Sequence, residues 1–350
     1  MKIAVFSAKP YDKIFLNEAL KARNGSGSNI QLIYYDYSLN PETVSLVQGT
    51  DAVCVFVNDV LNEEVLEALV EKGVSAVLLR CAGYNNVDLQ AAERLELFVA
   101  NVPAYSPEAV AEFAVALIQT LNRKTHRAYN RVREGNFNLN GLLGRTLAGK
   151  TVGIVGVGKI GISLARIMRG FGCTLLAYDP FPNPAFNEFG EYKPLEELLP
   201  ACDIVSLHCP LMEKTRHIIN SKTLALMKTD AMLVNTSRGG LIDSQAVVQA
   251  LKEKKLGGLA LDVYEAEGQL FYNDHSGEII KDDALARLIS FPNVLICGHQ
   301  GFFTEEALRE ISVCTLRNLE DFMMERHCPN SLVTDGNKLA RADSHPVRIV

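Results

Sequence analysis

The chain has no tryptophan, no apolar run long enough to span a bilayer, and no long stretch in which lysine and arginine gather. The second absence excludes a membrane-spanning helix, which needs about 20 predominantly apolar residues. The third excludes a nucleic-acid surface, because that footprint is a basic patch and this chain carries a net charge of −6. No C-x-x-C occurs among the eight cysteines. Cys54, Cys173 and Cys297 sit inside apolar runs, which suits reduced, core-filling thiols in the cytoplasm better than a disulfide framework. His208-Cys209 and His327-Cys328 are adjacent pairs whose side chains would point to opposite faces of a strand, so no metal site is expected. Internal repeats and low-complexity tracts are absent too. Met1-Lys-Ile-Ala-Val-Phe6 is too short for a signal peptide and reads as a first strand.

At 350 residues, 48% of them hydrophobic, the chain has room for two domains. Its most informative stretch is Lys150-Thr-Val-Gly-Ile-Val-Gly-Val-Gly-Lys-Ile-Gly161. Thr151–Val155 reads as a short buried strand, and Ile160, Leu164, Ile167 and Met168 follow at helical spacing. Gly156, Gly158 and Gly161 between them have the G-x-G-x-x-G spacing. In that pattern the glycines serve a tight turn, a close backbone approach to pyrophosphate, and close packing of helix on strand. The helix start adds free N–H groups and a positive dipole end, both favourable to phosphate. A second apolar strand, Thr174-Leu-Leu-Ala-Tyr178, ends in Asp179, about 20 residues past the glycines, where the ribose contact belongs. Its carboxylate would accept from a 2′-hydroxyl and repel a 2′-phosphate. No arginine follows in Pro180-Phe181-Pro182-Asn183, so NAD is expected rather than NADP.

Residues 1–100 alternate apolar strands (Lys2–Phe6, Ile30–Tyr35, Ala52–Val57, Ala76–Arg80, Leu97–Val99) with helical patterns. Such alternation predicts a parallel sheet covered by helices on both faces. Asn24–Asn29 reads as an exposed loop. After Pro103 and Pro107 a helix runs apolar through Val110, Phe113, Ala114, Leu117 and Leu121, then turns basic from Arg123 to Arg133. Asn136–Gly149 reads as a connector. From Thr151 a second alternating series supplies six strands: Thr151–Val155, Thr174–Tyr178, Asp203–His208, Ala231–Thr236, Leu259–Val263 and Val294–Cys297. Six strands match a full doubly wound dinucleotide domain. The glycine-rich motif therefore opens the second sheet, and a substrate-side role falls to the first. A final helix covers about Thr304–Glu325.

Ligands of doubly wound sheets bind outside the carboxyl ends of the strands. Three such ends bring Arg238, Glu267 and His299 to the edge where a nicotinamide would lie. Those residue types meet the needs of carbonyl reduction. Hydride reaches the carbon, so the carbonyl oxygen gains negative charge and must receive a proton. Histidine is the usual donor near neutral pH, and a carboxylate beside it favours the charged donor form. An arginine offers a planar fork for a substrate carboxylate, worth about 1.5–3 kcal/mol.

From Met1 to about Val333 the chain resembles the NAD-dependent D-2-hydroxyacid dehydrogenases, and within them the fermentative D-lactate dehydrogenases. The resemblance rests on Leu79-Arg-Cys-Ala-Gly-Tyr-Asn-Asn-Val-Asp88, Val102-Pro-Ala-Tyr-Ser-Pro-Glu-Ala-Val-Ala-Glu112 and Gly156-Val-Gly-Lys-Ile-Gly161. It continues in Ser206-Leu-His-Cys-Pro-Leu211, Val234-Asn-Thr-Ser-Arg-Gly239, Leu261-Asp-Val-Tyr-Glu265 and Gly298-His-Gln300. It implies an arginine–glutamate–histidine catalytic set at Arg238, Glu267 and His299. Backbone N–H groups near Ala82 and Gly83 would hold the substrate carboxylate, which Tyr105 would line and Phe302 would narrow toward a methyl group. On the cofactor side, Lys159 and Ile160 match the phosphate turn, Asp179 the ribose acid, and Cys209 and Pro210 the adenosine wall. Thr236 and Asp262 match positions near the nicotinamide.

The family architecture implies an α/β fold of two doubly wound parallel-sheet domains with a cleft between them. One is a discontinuous, flavodoxin-like substrate domain of residues 1–103 and 302–334. The other is a Rossmann NAD-binding domain of residues 104–301, and residues 335–350 form a tail. The expected activity is reversible reduction of pyruvate to D-lactate by a cytoplasmic homodimer or homotetramer, with the long apolar helix after Pro107 as an interface. Two alternatives stand beside it. One is a dehydrogenase for a bulkier acid such as phenyllactate or hydroxyisocaproate. The other is a non-catalytic NAD-sensing corepressor, whose pocket uses a tryptophan that this chain lacks. One departure from the family pattern is Gly301 in place of the usual alanine, which would loosen the backbone beside the histidine.

Overall fold

The computed structural model describes residues 1–23 and 30–333, and the chain divides into two units. One comprises Met1–Ser106 with the segment from Phe303 on; the other is Pro107–Phe302. The Asn24–Asn29 loop and the tail at 335–350 lie outside the described residues.

The first unit is built from β1 (Lys2–Val5), α1 (Pro10–Arg23), β2 (Gln31–Tyr34), β3 (Ala52–Val55), α2 (Glu63–Glu71), β4 (Ala76–Leu79), α3 (Leu89–Arg94) and β5 (Phe98–Ala100). All neighbouring strands are parallel, in the order β2-β1-β3-β4-β5, which is the flavodoxin-like order. β3 and β4 read Ala-Val-Cys-Val and Ala-Val-Leu-Leu and are buried throughout, because helices cover both faces of a parallel sheet. Asn62 and Asp88 cap α2 and α3 by accepting from Val65 N and Ala91 N, which satisfies N–H groups left over at each helix start.

The second unit opens with α4 (Pro107–Arg123) and α5 (Thr125–Arg133). Its strands and helices are β6 (Thr151–Val155), α6 (Lys159–Gly170), β7 (Thr174–Tyr178), β8 (Glu191–Tyr192), α7 (Leu195–Ala201), β9 (Ile204–Leu207), α8 (Ser221–Leu224), β10 (Met232–Asn235), α9 (Ser244–Lys252), β11 (Gly258–Leu261), α10 (Asp283–Ile289) and β12 (Val294–Ile296). They form a seven-stranded parallel sheet in the order β12-β11-β10-β9-β6-β7-β8. The order reverses between β6 and β9, so the ligand crevice of a doubly wound sheet belongs at their carboxyl ends. On one face Val152, Ile154, Val234 and Ala260 pack under Leu117 and Leu164; on the other Val205, Leu233 and Leu259 meet Leu198 and Leu251. The chain then returns to the first unit as α11 (Glu305–Met323), capped by Thr304. Leu316 and Leu319 of α11 share a core cluster with Leu16, Cys54 and Leu78.

Three local expectations change. The second sheet has seven strands rather than six, because Glu191–Tyr192 adds an edge strand to β7, and two residues are too few to show a period. The helix after Pro107 stops at Arg123; Lys124 turns left-handed, with φ of 52°, and α5 starts afresh. The apolar stripe of α4 is consumed within the unit, where Ala111, Ala114, Leu117 and Ile118 are buried and α4 packs on α6. Exposed apolar side chains lie further along instead, at Tyr129, Val132, Phe137, Leu139 and Leu143. All eight cysteines are free thiols.

Candidate functional site

A row of residues in register lines the carboxyl edge of the seven-stranded sheet. Ile154, Ser206, Val234, Ala260 and Leu295 are partners across β6, β9, β10, β11 and β12. Two residues further on, where side chains return to the same face, stand Gly156, His208, Thr236, Asp262 and Cys297. The ladder continues that far: His208 N donates to Val155 O at 2.7 Å, Asp262 N to Asn235 O at 2.9 Å and Cys297 N to Leu261 O at 2.8 Å.

At the switch point the backbones crowd together. Gly156 has φ of +96°, and a β-carbon there would lie 2.5 Å from Cys209 N. A β-carbon on Gly161 would collide with Gly156 O. Gly158 is the cap of α6, and Lys159 and Ile160 form its first turn, Lys159 exposed and Ile160 buried. The Asp179 carboxylate accepts from Val157 N and from Phe181 N, each at 2.8 Å, so from the end of β7 it braces the glycine turn that follows β6. Cys209 is buried and its carbonyl accepts from Ser237 Oγ at 2.6 Å. Pro210 O accepts from Thr215 Oγ1 at 2.6 Å. Thr236 Oγ1 and His208 Nδ1 are buried without a hydrogen-bond partner among the described residues. A side-chain-free cradle at a helix start, a carboxylate beside it and unpartnered polar atoms along the edge fit a dinucleotide.

His299 and Glu267 meet directly: Nδ1 lies 2.8 Å from Glu267 Oε1, with the two side chains 17% and 21% exposed. The other carboxylate oxygen accepts from Tyr264 N at 2.7 Å. His299 has φ of 54°, a left-handed conformation that costs an ordinary residue about 1–3 kcal/mol. Four further bonds hold it there. His299 N donates to Asp262 O at 2.7 Å, and the Asp262 carboxylate accepts from Gln300 N and Gly301 N, each at 2.8 Å. Tyr272 OH donates to His299 O at 3.2 Å. With Nδ1 engaged by Glu267, Nε2 is the nitrogen left for chemistry.

Gly301 does not loosen this turn. Its N–H is held by Asp262, and a β-carbon there would stand 2.9 Å from Asp262 Oδ2 and 3.4 Å from Phe113. Asp262, expected only near the nicotinamide, is therefore also the clamp of the histidine turn. Burial pushes its carboxyl pKa up, while His299 and the two backbone N–H groups oppose that.

Arg238 is half-buried, and its Nη1 donates to Ser237 O at 2.7 Å. Its guanidinium has no carboxylate partner among the described residues, so the structure bonds Glu267 to His299 and Arg238 to neither. Asn235, fully buried, shapes the arginine's turn: Oδ1 accepts from Ser237 N at 3.0 Å and Nδ2 donates to Arg238 O at 2.9 Å. A β-carbon on Gly239 would overlap the Tyr264 carbonyl and Glu265 N. That glycine thus lets the arginine segment lie backbone-to-backbone on the glutamate segment. Asn235, Tyr264, Tyr272 and the second role of Asp262 all escape a reading based on residue type. Asn235 and Tyr264 do sit inside the quoted motifs, and that was their only signal.

The remaining expected residues divide between the units. Phe302 is buried at the end of the second. Ala82, Gly83 and half-buried Tyr105 belong to the first. Ala82 and Gly83 lie in the turn after β4. On one side of that turn the buried Arg80 bonds Asp12 at 3.0 Å and Ser7 O at 2.8 Å. On the other, Asn101 Nδ2 donates to Ala82 O at 2.8 Å.

Residues 115–301 match the family described as D-isomer specific 2-hydroxyacid dehydrogenase, NAD binding domain. The chain is 63% identical over 349 residues to 2-hydroxyacid dehydrogenase A of Aspergillus oryzae, covering 100% of both chains. It is 62% identical, again over 100% of both, to a D-lactate dehydrogenase of Curvularia clavata. Among solved structures it is similar to the apo form of Escherichia coli D-lactate dehydrogenase. That match has a TM-score of 0.86 at 47% identity, over 95% of this chain and 100% of the other.

Proposed function

The chain belongs to the D-isomer-specific 2-hydroxyacid dehydrogenases, and we propose that it works as a D-lactate dehydrogenase, reducing pyruvate reversibly to D-lactate. It is an NAD-dependent oxidoreductase, and bound NADH supplies the hydride. Carrying the proposal is the 2.8 Å bond from His299 Nδ1 to Glu267 Oε1 at the carboxyl edge of a doubly wound sheet.

His299 Nε2 gives its proton to the substrate oxygen as hydride reaches the keto carbon, so the carbonyl becomes a secondary alcohol. In the reverse direction the same nitrogen takes the hydroxyl proton. Glu267 holds the ring in one orientation, keeps Nδ1 protonated, and offsets the charge that the imidazolium carries; general acid catalysis of this kind is worth about 10²–10⁴ in rate. Arg238, whose guanidinium has donors to spare, pairs with the substrate. The N–H groups of Ala82 and Gly83, with Tyr105, hold the carboxylate, and Phe302 narrows the pocket toward a methyl group. Gly156, Gly158, Lys159, Ile160 and Gly161 take the pyrophosphate, Asp179 the ribose, Cys209 and Pro210 the adenosine side, and Thr236 and Asp262 the nicotinamide side.

Pyruvate is favoured as substrate because the Curvularia and Escherichia relatives are named for lactate. The expected assembly is a homodimer or homotetramer, for which the exposed Phe137, Leu139 and Leu143 offer an apolar surface. A cytoplasmic location accords with eight free thiols and with no helix among the described residues being long and apolar enough to cross a membrane. The test is NADH oxidation with pyruvate, phenylpyruvate and 4-methyl-2-oxopentanoate, with the chirality of each product determined. Pyruvate should be preferred and give the D-isomer. A large preference for phenylpyruvate, or an L-product, would overturn the reading.

A further inference from the structure

Inside the first unit, three buried or half-buried asparagines form a relay that ends on the Ala82 peptide. Asn330 Nδ2 donates to Asn318 Oδ1 at 2.8 Å, and Asn318 Nδ2 donates to Asn101 O at 2.7 Å. Asn101 Nδ2 then donates to Ala82 O at 2.8 Å. Asn101 and Asn318 are each 1% exposed. Asn318 lies on α11, 217 residues after Asn101. The segment after α11 is fastened to the same place: Asn101 N donates to Asn330 O at 3.3 Å and Leu332 N to Val99 O at 2.8 Å.

The peptide geometry shows what the relay accomplishes. In a planar trans peptide the C=O and the following N–H point in opposite directions. Asn101 Nδ2 draws the Ala82 carbonyl inward, which turns the Gly83 N–H outward. Val102 N draws the Cys81 carbonyl inward at 3.1 Å, which turns the Ala82 N–H outward as well. Neither of those N–H groups has an acceptor among the described residues. Two successive outward N–H groups make a concavity suited to an anion. An unsupported turn could flip either peptide and lose it.

We propose that Asn101, held by Asn318 and Asn330, is a positioning residue that aims the Ala82 and Gly83 N–H groups at the substrate carboxylate. Asn101 touches neither substrate nor cofactor in this role. Its effect passes through the orientation of two peptide planes. The proposal rests on the reading of Ala82 and Gly83 as holders of that carboxylate.

Asn101→Asp is isosteric and, as a carboxylate, has no proton to donate to Ala82 O. Its steady-state kinetics are compared with the parent enzyme on pyruvate and on pyruvamide, which has the keto group without the carboxylate. Oxamate inhibition and the NADH dissociation constant are measured alongside. A lost buried hydrogen bond typically costs enough to shift binding by about tenfold or more. The variant should therefore raise KM for pyruvate and Ki for oxamate by about that factor. Pyruvamide kinetics, kcat at saturating pyruvate and NADH affinity should change little. Loss of pyruvate and pyruvamide activity in equal proportion, or no change in either, would overturn the positioning role alone. A parent enzyme that handles pyruvamide as well as pyruvate would remove the carboxylate reading and the proposal with it. Should Asn101→Asp not fold, Asn330→Ala at the outer end of the relay is read instead: a selective rise in KM for pyruvate supports the relay, and none overturns it.

Discussion

Replacing Glu267 with glutamine tests the proposed chemistry through one pair of hydrogen bonds. Glu267 accepts from His299 Nδ1 at 2.8 Å and from Tyr264 N at 2.7 Å, and a carboxylate can accept both. An amide has one oxygen and one NH₂. The Tyr264 N–H has no alternative form and keeps the oxygen, so the NH₂ faces Nδ1 and requires a bare nitrogen there. That choice puts the single ring proton on Nε2 and disfavours the imidazolium, which carries protons on both nitrogens. A ring in that state would have to give up its last proton, so it is a poor acid. The change removes a charge-assisted bond of about 1.5–3 kcal/mol. A wrong tautomer beside a catalytic histidine costs about 10⁴ in kcat in a serine-protease triad. Here the side chains are 17% and 21% exposed, so water can relieve part of the mismatch. The expected loss is about 10²–10³ in kcat, or about 2.7–4 kcal/mol. Pyruvate-dependent NADH oxidation at fixed pH measures it, with NADH affinity from a fluorescence titration as the control. A kcat within about threefold of the parent, less than 1 kcal/mol, would refute the assignment of Glu267 as orienting partner.

Other outcomes follow from the same geometry. Asp179→Asn keeps an oxygen for Val157 N but removes the charge facing a 2′-phosphate, so kcat/KM for NADPH relative to NADH should rise by about tenfold; an unchanged ratio would count against the ribose assignment. Gly161→Ala drives a β-carbon into Gly156 O, and overpacking of that kind costs about 1–3 kcal/mol. Its Tm and its NADH affinity should both fall, and a parent-like enzyme would show that the turn is not as tight as described. Burial lowers the His208 pKa from 6.5 to about 4, so the unfolded chain takes up a proton at higher pH than the folded one. The stability that neutral His208 contributes is complete above pH 6.5 and is lost as pH falls toward about 4, by up to about 3 kcal/mol. His208→Gln should flatten Tm against pH across that window relative to the parent; parallel curves would refute the linkage.

How much of this was legible in the residues depends on the range over which each feature is decided. The strands of both sheets could be read because helices cover both faces and leave runs such as Ala52–Val55 and Ala76–Leu79 uniformly apolar. The glycine turn could be read because the steric demand at Gly156 and Gly161 admits no other side chain. Glu191–Tyr192 could not, since its strand character comes from pairing with β7 rather than from any pattern of its own. Nor could the break at Lys124, where a left-handed residue parts two helices with no glycine or proline to mark it. Gly301 misled for a related reason. A missing side chain suggested slack, but the Asp262 carboxylate takes up its N–H and fills the space beside it.

Residue type and order alone determined the class of fold, the place of the dinucleotide turn, the acid at Asp179 and the identity of Arg238, Glu267 and His299 as candidates. Each of these is either a local steric requirement or a chemical type at a strand end, and both are written into short segments. Only the folded chain decided that His299 is pinned in a left-handed conformation by Asp262, that Glu267 is shared between Tyr264 N and the imidazole, and that Asn318 reaches back to Asn101. Apart from the local Tyr264–Glu267 bond, those are hydrogen bonds between segments far apart along the chain. Their partners are set by which strand ends and helices come to lie side by side, and no short stretch of sequence carries that information.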